Sequence, residues 1–190
     1  TKKWLIEHGL SNQNDWKTCF LKFPQIMSHS LDEKFEPIIK YMIDELQLPS
    51  QVVKMALLSS PDVFGRKLDR IKYNVSALKS IGMTRIDLTR YLSSFPGGLR
   101  LDICAEPYRS KLEYLEKKLG QKPATVLPVH PRYLSYSMER IACRAEFLQS
   151  RQRSTNGVTG WCATNDTLFA EKFARSSLSE WAEFKTAWQK

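Results

Sequence analysis

The chain alternates amphipathic runs of helical period with proline-led breaks, and the breaks keep register. Phe23-Pro24, Ser60-Pro61, Phe95-Pro96 and His130-Pro131 each end such a run, with the prolines 37, 35 and 35 residues apart. Four positions before each proline stands Phe20, Leu57, Leu92 or Leu127. Seven positions after it stands Leu31, Leu68, Ile103 or Met138, followed by an acid at Asp32, Asp69 and Glu139. Self-similarity at this period predicts stacked helical units, none able to bury its apolar face alone, rather than one closed core. The expected fold is all-α: a helical-repeat solenoid, or superhelix, whose units of about 35 residues read helix, proline turn, second helix.

Within the units the spacing names the buried faces. Trp4, Leu5 and Leu10 flank Gly9, residues 11–14 offer cap and turn chemistry, and Trp16, Phe20 and Phe23 make one helical stripe. Acids and Pro37 fill a first turn ahead of Ile38, Ile39, Met42, Ile43 and Leu46. Val52, Val53, Met55, Leu57 and Leu58 form the next apolar run, and Leu68, Ile71, Val75, Leu78 and Ile81 the one after. Gly82 suits a left-handed cap, and Thr84-Arg85-Ile86-Asp87 reads as a capping box. The fourth unit is irregular, since Gly97-Gly98 loosens its start and Pro107 interrupts it, but Leu112, Leu115 and Leu119 keep an apolar face.

Past Leu148 the composition changes. Residues 154–160 are loop material, and two helical patterns follow at about 166–175 and 179–190. Ser177 with Glu180 resembles a capping box, and Leu178, Trp181, Phe184 and Trp188 line one face. The expected organisation is repeats over 1–150, a linker over 151–160 and a Trp-rich helical tail over 161–190. The tail either caps the open end of the stack or docks a protein partner through its tryptophans.

Charge changes the picture when it is divided. Of the +9 net charge, residues 1–60 and 154–190 each contribute zero, so the whole excess lies in 61–153 with eleven of the twelve arginines. A solvated helix surface explains scattered lysines but not segregated arginine, the residue favoured for phosphate forks, and the distribution points to a polyanion. Four cysteines far apart, with no CxxC pair, argue against zinc and against a disulfide framework. No run of eighteen apolar residues occurs, so no membrane span is expected. The chain begins at Thr1 rather than methionine, which places any targeting segment outside this stretch.

Pro131-Arg132-Tyr133-Leu134-Ser135-Tyr136-Ser137-Met138-Glu139-Arg140-Ile141 with Arg144 resembles the mitochondrial transcription termination factor (mTERF) family. Leu68-Asp69-Arg70-Ile71 and Leu31-Asp32-Glu33-Lys34 look like weaker copies, as do Gly9, Gly82 and Gly120 ahead of new units. The likeness covers about residues 4–150. It implies a left-handed superhelix, an organelle (mitochondrion, or alternatively plastid), and binding of double-stranded DNA or structured RNA along a basic concave face. Family roles include transcription termination or regulation, splicing and ribosomal RNA maturation. The alternative role is a ribosome- or assembly-complex-bound protein that holds RNA backbone and docks a partner through residues 161–190.

Counted from each proline, Arg70 and Arg140 share position nine, and Arg109 and Arg144 share position thirteen, one helical turn on. Stacked units would align these into a stripe, with Arg66 on the face of Arg70 and with Lys67 and Arg132 near the turns. Arg66, Lys67, Arg70, Arg109, Arg132, Arg140 and Arg144 are therefore the expected nucleic-acid contacts. Reversing Arg70, Arg140 and Arg144 together is expected to abolish binding and leave helicity intact. Such contacts position a ligand without reading its sequence. Each single arginine could instead serve a surface ion pair. No P-loop, dinucleotide fingerprint, GxSxG or HExxH occurs, and His8, His29 and His130 are isolated. No catalytic residue, cofactor or metal is expected, and Asp102 with Glu106 is a commonplace acid pair. A third reading is a protein-interaction solenoid with an acidic partner.

Overall fold

The register of prolines fixes where helices stop. A computed structural model describes residue 10 and residues 12–28 and 30–189; Trp4, Leu5, His8, Gly9, Ser11 and His29 lie outside them. No strand occurs among the described residues. The chain divides into two units, residues 1–104 and 105–190.

In the first unit α1 (Gln13–Lys22) enters the 3-10 turn Pro24–Ser28, and α2 follows in three pieces, Leu31–Phe35, Glu36–Lys40 and Tyr41–Glu45. Helix α3 (Ser50–Ser59) enters the turn Pro61–Val63 ahead of α4 (Leu68–Ser80), and α5 (Arg85–Ser94) enters the turn Pro96–Arg100. Like packs on like: α1 on α3, α3 on α5, α2 on α4, and the Pro61 turn on the Pro96 turn. That is nearest-neighbour stacking of repeats. The rings of Phe23, Phe35 and Phe64 carry the core through it, with centroids 6.4 and 5.6 Å apart. Ile43 and Met55, expected on buried faces, are 41% and 40% exposed.

Local chemistry explains the joints. The outer pieces of α2 have the wide π-type register, with Glu36 N–H bonded to Leu31 O and Leu46 N–H to Tyr41 O. Pro37 lies within this run and has no N–H for the carbonyl four residues back, the kind of defect a π-turn absorbs. Gly82 closes α4 at φ 95°, and the Met83 N–H returns to Leu78 O at 3.4 Å, the left-handed glycine cap. Thr84 and Asp87 form the capping box of α5. Gly98 is small by necessity, since a Cβ there would meet the Tyr91 ring at 2.5 Å.

The second unit holds α6 (Glu106–Lys117), the short α7 (Pro123–Val126), the turn Pro131–Ser135 and α8 (Met138–Ser150), with α6 packed on α8. Pro107 does not interrupt a helix as expected. It sits in the first turn of α6, where its missing N–H costs little, and α6 starts at Glu106. Helix α9 (Val158–Ala163) begins inside the stretch read as linker. Helix α10 runs through Asp166–Leu168 and Phe169–Ala174, and α11 (Leu178–Trp188) opens with the Ser177 and Glu180 capping box.

The tail is packed in, not free. Helix α9 stacks on the Pro131 turn as the Pro96 turn stacks on the Pro61 turn, and α11 lies on α8. Trp161, Phe169 and Trp181 are buried. Phe147 and Phe169 lie 5.1 and 4.8 Å from the Trp181 ring, and the Trp188 indole donates to Glu146 at 2.7 Å. The aromatic residues Trp161, Phe169 and Trp181 of the tail are thus turned inward.

Candidate nucleic-acid interface

Arginine on a helix has two fates, and this chain uses both. A guanidinium facing solvent stays available to phosphate. One on the apolar stripe must be buried with its hydrogen bonds met inside, because an unpaired buried charge is far too costly to persist.

In the first unit Arg66 and Lys67 lie between the Pro61 turn and α4, both exposed, and their side chains make no hydrogen bond or ion pair among the described residues. Arg70, on the first turn of α4, pairs with Asp102 at 3.3 Å and lies over the Tyr73 ring at 5.3 Å. Arg66 lines a cleft of about 640 Å³ with Lys22, Phe23, Gln25, Asp62, Gly65 and Arg100. These residues come from three successive proline turns and their flanks, so stacking of the units builds the cleft. Lys22 and Arg100 are cations that alignment on helix positions missed. Their closeness in sequence to Pro24 and Pro96 was the signal.

In the second unit Arg132 stands exposed on the proline turn without a side-chain partner among the described residues. Arg109 belongs to an exposed ladder on α6, paired with Glu106 and, at 3.8 Å, with Glu113, which also takes Lys117 at 2.9 Å. Such ladders are ordinary solvated helix faces that add little to stability. The Lys117 ammonium, through its hydrogen bond and charge, holds the Glu113 carboxyl below its usual range.

Arg140 and Arg144 correct the expected stripe. Arg144 is 1% exposed. Its Nη1 donates to the Trp161 and Thr164 carbonyls and its Nη2 to Asp166 Oδ1 at 2.6 Å, while the guanidinium lies 4.5 Å from the Phe169 ring centre. Arg140 Nε donates to Cys162 O at 2.7 Å and Nη2 to Thr164 O. Both arginines hold α9 and the start of α10 onto α8, and Arg144 is closed off from solvent. Reversing Arg70, Arg140 and Arg144 together would dismantle the second unit, so that variant cannot report on binding alone.

The same device recurs in the two preceding second helices, α4 and α6. Asn74, 4% exposed, donates from Nδ2 to Leu99 O at 2.8 Å. Lys111, 8% exposed, donates to Leu134 O at 2.9 Å. Leu99 and Leu134 both stand three residues past their prolines. In each case a polar side chain of a second helix satisfies a carbonyl of the next turn, which backbone donors would otherwise leave bare. Burial draws the Lys111 ammonium below its ordinary value.

Asp166 joins Arg144 to Lys185, whose Nζ is 3.1 Å from Asp166 Oδ2. Burial alone would raise its carboxyl, but the hydrogen bonds from Arg144 and Lys185 outweigh that and hold it below the usual range. The folded value thus lies under the unfolded one of about 3.9. Asp166 stabilises the fold above that value, and the contribution is lost as pH falls through the folded one. The difference in unfolding midpoint between the wild type and Asp166→Asn is expected to be full at about pH 6 and to shrink below about pH 4. A difference that ignores pH would count against the pairing.

Beside the proline turns, their stacking and the buried donors of α4, α6 and α8 stands one further finding: a model of the mTERF family matches residues 3–170. The chain belongs to the mTERF family. The match runs past the repeats legible in the sequence and takes in α9 and the start of α10, the parts that Arg140 and Arg144 hold. Members of this family are nucleic-acid-binding factors of organelle gene expression, in mitochondria or plastids. No curated protein matches the chain closely enough to add a relative to the assignment. Among the described residues no group of acidic, histidine and cysteine side chains could hold a metal ion, and no helix is long and apolar enough to cross a membrane.

Proposed function

We propose that this mTERF-family chain binds double-stranded nucleic acid, DNA or structured RNA, through the cations of its proline turns. Its setting is mitochondrial gene expression, in transcription termination or regulation or in ribosomal RNA function. One observation carries the reading. Arg66, Lys67 and Arg132 are exposed at proline turns without a partner among the described residues, inside the stretch that holds the whole excess charge. Cations so placed neutralise phosphates and release counterions, and they orient a duplex without specifying its bases. Docking of a protein through the tail is the weaker reading, since Trp161 and Trp181 are buried within their own unit.

The test is fluorescence anisotropy of the full chain with labelled DNA and RNA duplexes of about 20 base pairs between roughly 50 and 200 mM salt. The expected slope of log affinity on log salt is roughly −3 to −5, as for a handful of phosphate contacts. Competition between the two duplexes names the target. An affinity indifferent to salt, or none for either duplex, overturns the proposal and favours a protein partner.

A further inference from the structure

Resting on the nucleic-acid reading, we propose that the proline-turn cleft of the first unit is a phosphodiester seat in which Arg100 is the preset donor and Asp62 its internal competitor. Arg100 is fixed before any ligand arrives. Its Nε donates to the Gly97 carbonyl of its own turn at 3.2 Å, and its Nη1 to Asp62 Oδ2 on the preceding turn at 2.6 Å. Its Nη2 lies over Gly97, 2.7 Å from where a Cβ would stand, so only glycine lets the guanidinium settle there. Those bonds use two of the five guanidinium N–H groups and leave three for a ligand.

The neighbours are cations as well. Lys22 is anchored by one hydrogen bond from Nζ to Leu58 O at 2.7 Å, and the Arg66 side chain has no partner among the described residues. A fixed guanidinium fork flanked by two further positive charges matches the oxygens of a phosphodiester, which accept in pairs. The single carboxylate in the cleft opposes this. Asp62 and Arg100 keep 30% and 36% of their side-chain surface in solvent, so their bond is a weak surface pair that a phosphate can replace. The Asp62 carboxylate, once displaced, stands beside the bound phosphate and repels it. Its position therefore limits affinity more than it supports the fold.

Asp62→Asn is expected to tighten binding of the labelled duplex about three- to tenfold at roughly 0.1 M salt. Arg100→Gln is expected to weaken it by at least as much, and Gly97→Ala to weaken it by displacing the guanidinium. Calorimetric titration with tripolyphosphate should follow the same order. Unchanged or weaker binding by Asp62→Asn, with a wild type that binds the duplex, overturns the competitor and leaves the nucleic-acid reading standing. A wild type that takes tripolyphosphate but neither duplex overturns that reading and keeps the seat; one that takes neither overturns both. Circular dichroism confirms that the variants are folded. If Gly97→Ala is not, the two exposed side-chain variants decide the matter.

Discussion

Replacing Arg144 with alanine is expected to cost the chain about 3–5 kcal/mol, the usual penalty for breaking a buried ion pair. The guanidinium satisfies the Trp161 and Thr164 carbonyls, pairs with Asp166 and stacks on Phe169. Alanine leaves the Trp161 carbonyl buried without that donor, takes from Asp166 its guanidinium partner, and opens a void beside two aromatic rings. Lysine should rescue little, because a compact ammonium cannot reproduce a planar fork that reaches three acceptors. Urea unfolding followed by circular dichroism and tryptophan fluorescence measures the loss, since Trp161 and Trp181 both report on this unit. A cost under about 1 kcal/mol, the range of an exposed pair, would return Arg144 to the surface and to the ligand.

Reversing Arg66 and Lys67 to glutamate should lower duplex affinity about a hundredfold at roughly 0.1 M salt, while helicity stays at the wild-type level. Neither side chain has a partner to lose among the described residues, so the fold should not register the change. Two lost phosphate contacts should also flatten the salt slope by about 1.8, at 0.9 per contact. Arg109→Glu is the control. Its guanidinium is already engaged by Glu106 and Glu113, and its reversal should change affinity less than about threefold. Equal losses in the two variants would mean that net charge alone attracts the ligand, with no role for the turns.

The proline register carried much of the fold. It placed the turns at Pro24, Pro61, Pro96 and Pro131 and the starts of three second helices at Leu31, Leu68 and Met138. The fourth unit departs from the others, because Asp102 Oδ1 takes the Cys104 N–H in a turn and Pro107 is suited to open a helix. The later start of α6 broke the alignment of Arg109 with Arg144, one of which is exposed and the other buried.

The burial of Arg144 had a readable sign that charge counting passed over. Ile141, Arg144, Ala145 and Leu148 share one helical face, as Ile71, Asn74, Val75 and Leu78 do. A polar residue on an apolar stripe points to an internal partner. The cleft was less legible, because Lys22, Arg66 and Arg100 meet only once three turns are stacked. The π-type joints of α2 and the structural place of α9 left no periodic mark, since α9 has no proline to announce it.

Because Asn74 and Lys111 reach forward to Leu99 and Leu134, a unit is not self-sufficient when cut at its prolines. An engineer who shortens, lengthens or shuffles this array at those seams would part each amide or ammonium from its intended carbonyl and pair it with a stranger. Cuts placed just beyond the following turn would carry donor and acceptor together. Exchangeable cassettes in such proteins are therefore longer than their apparent period, and they overlap like roof tiles.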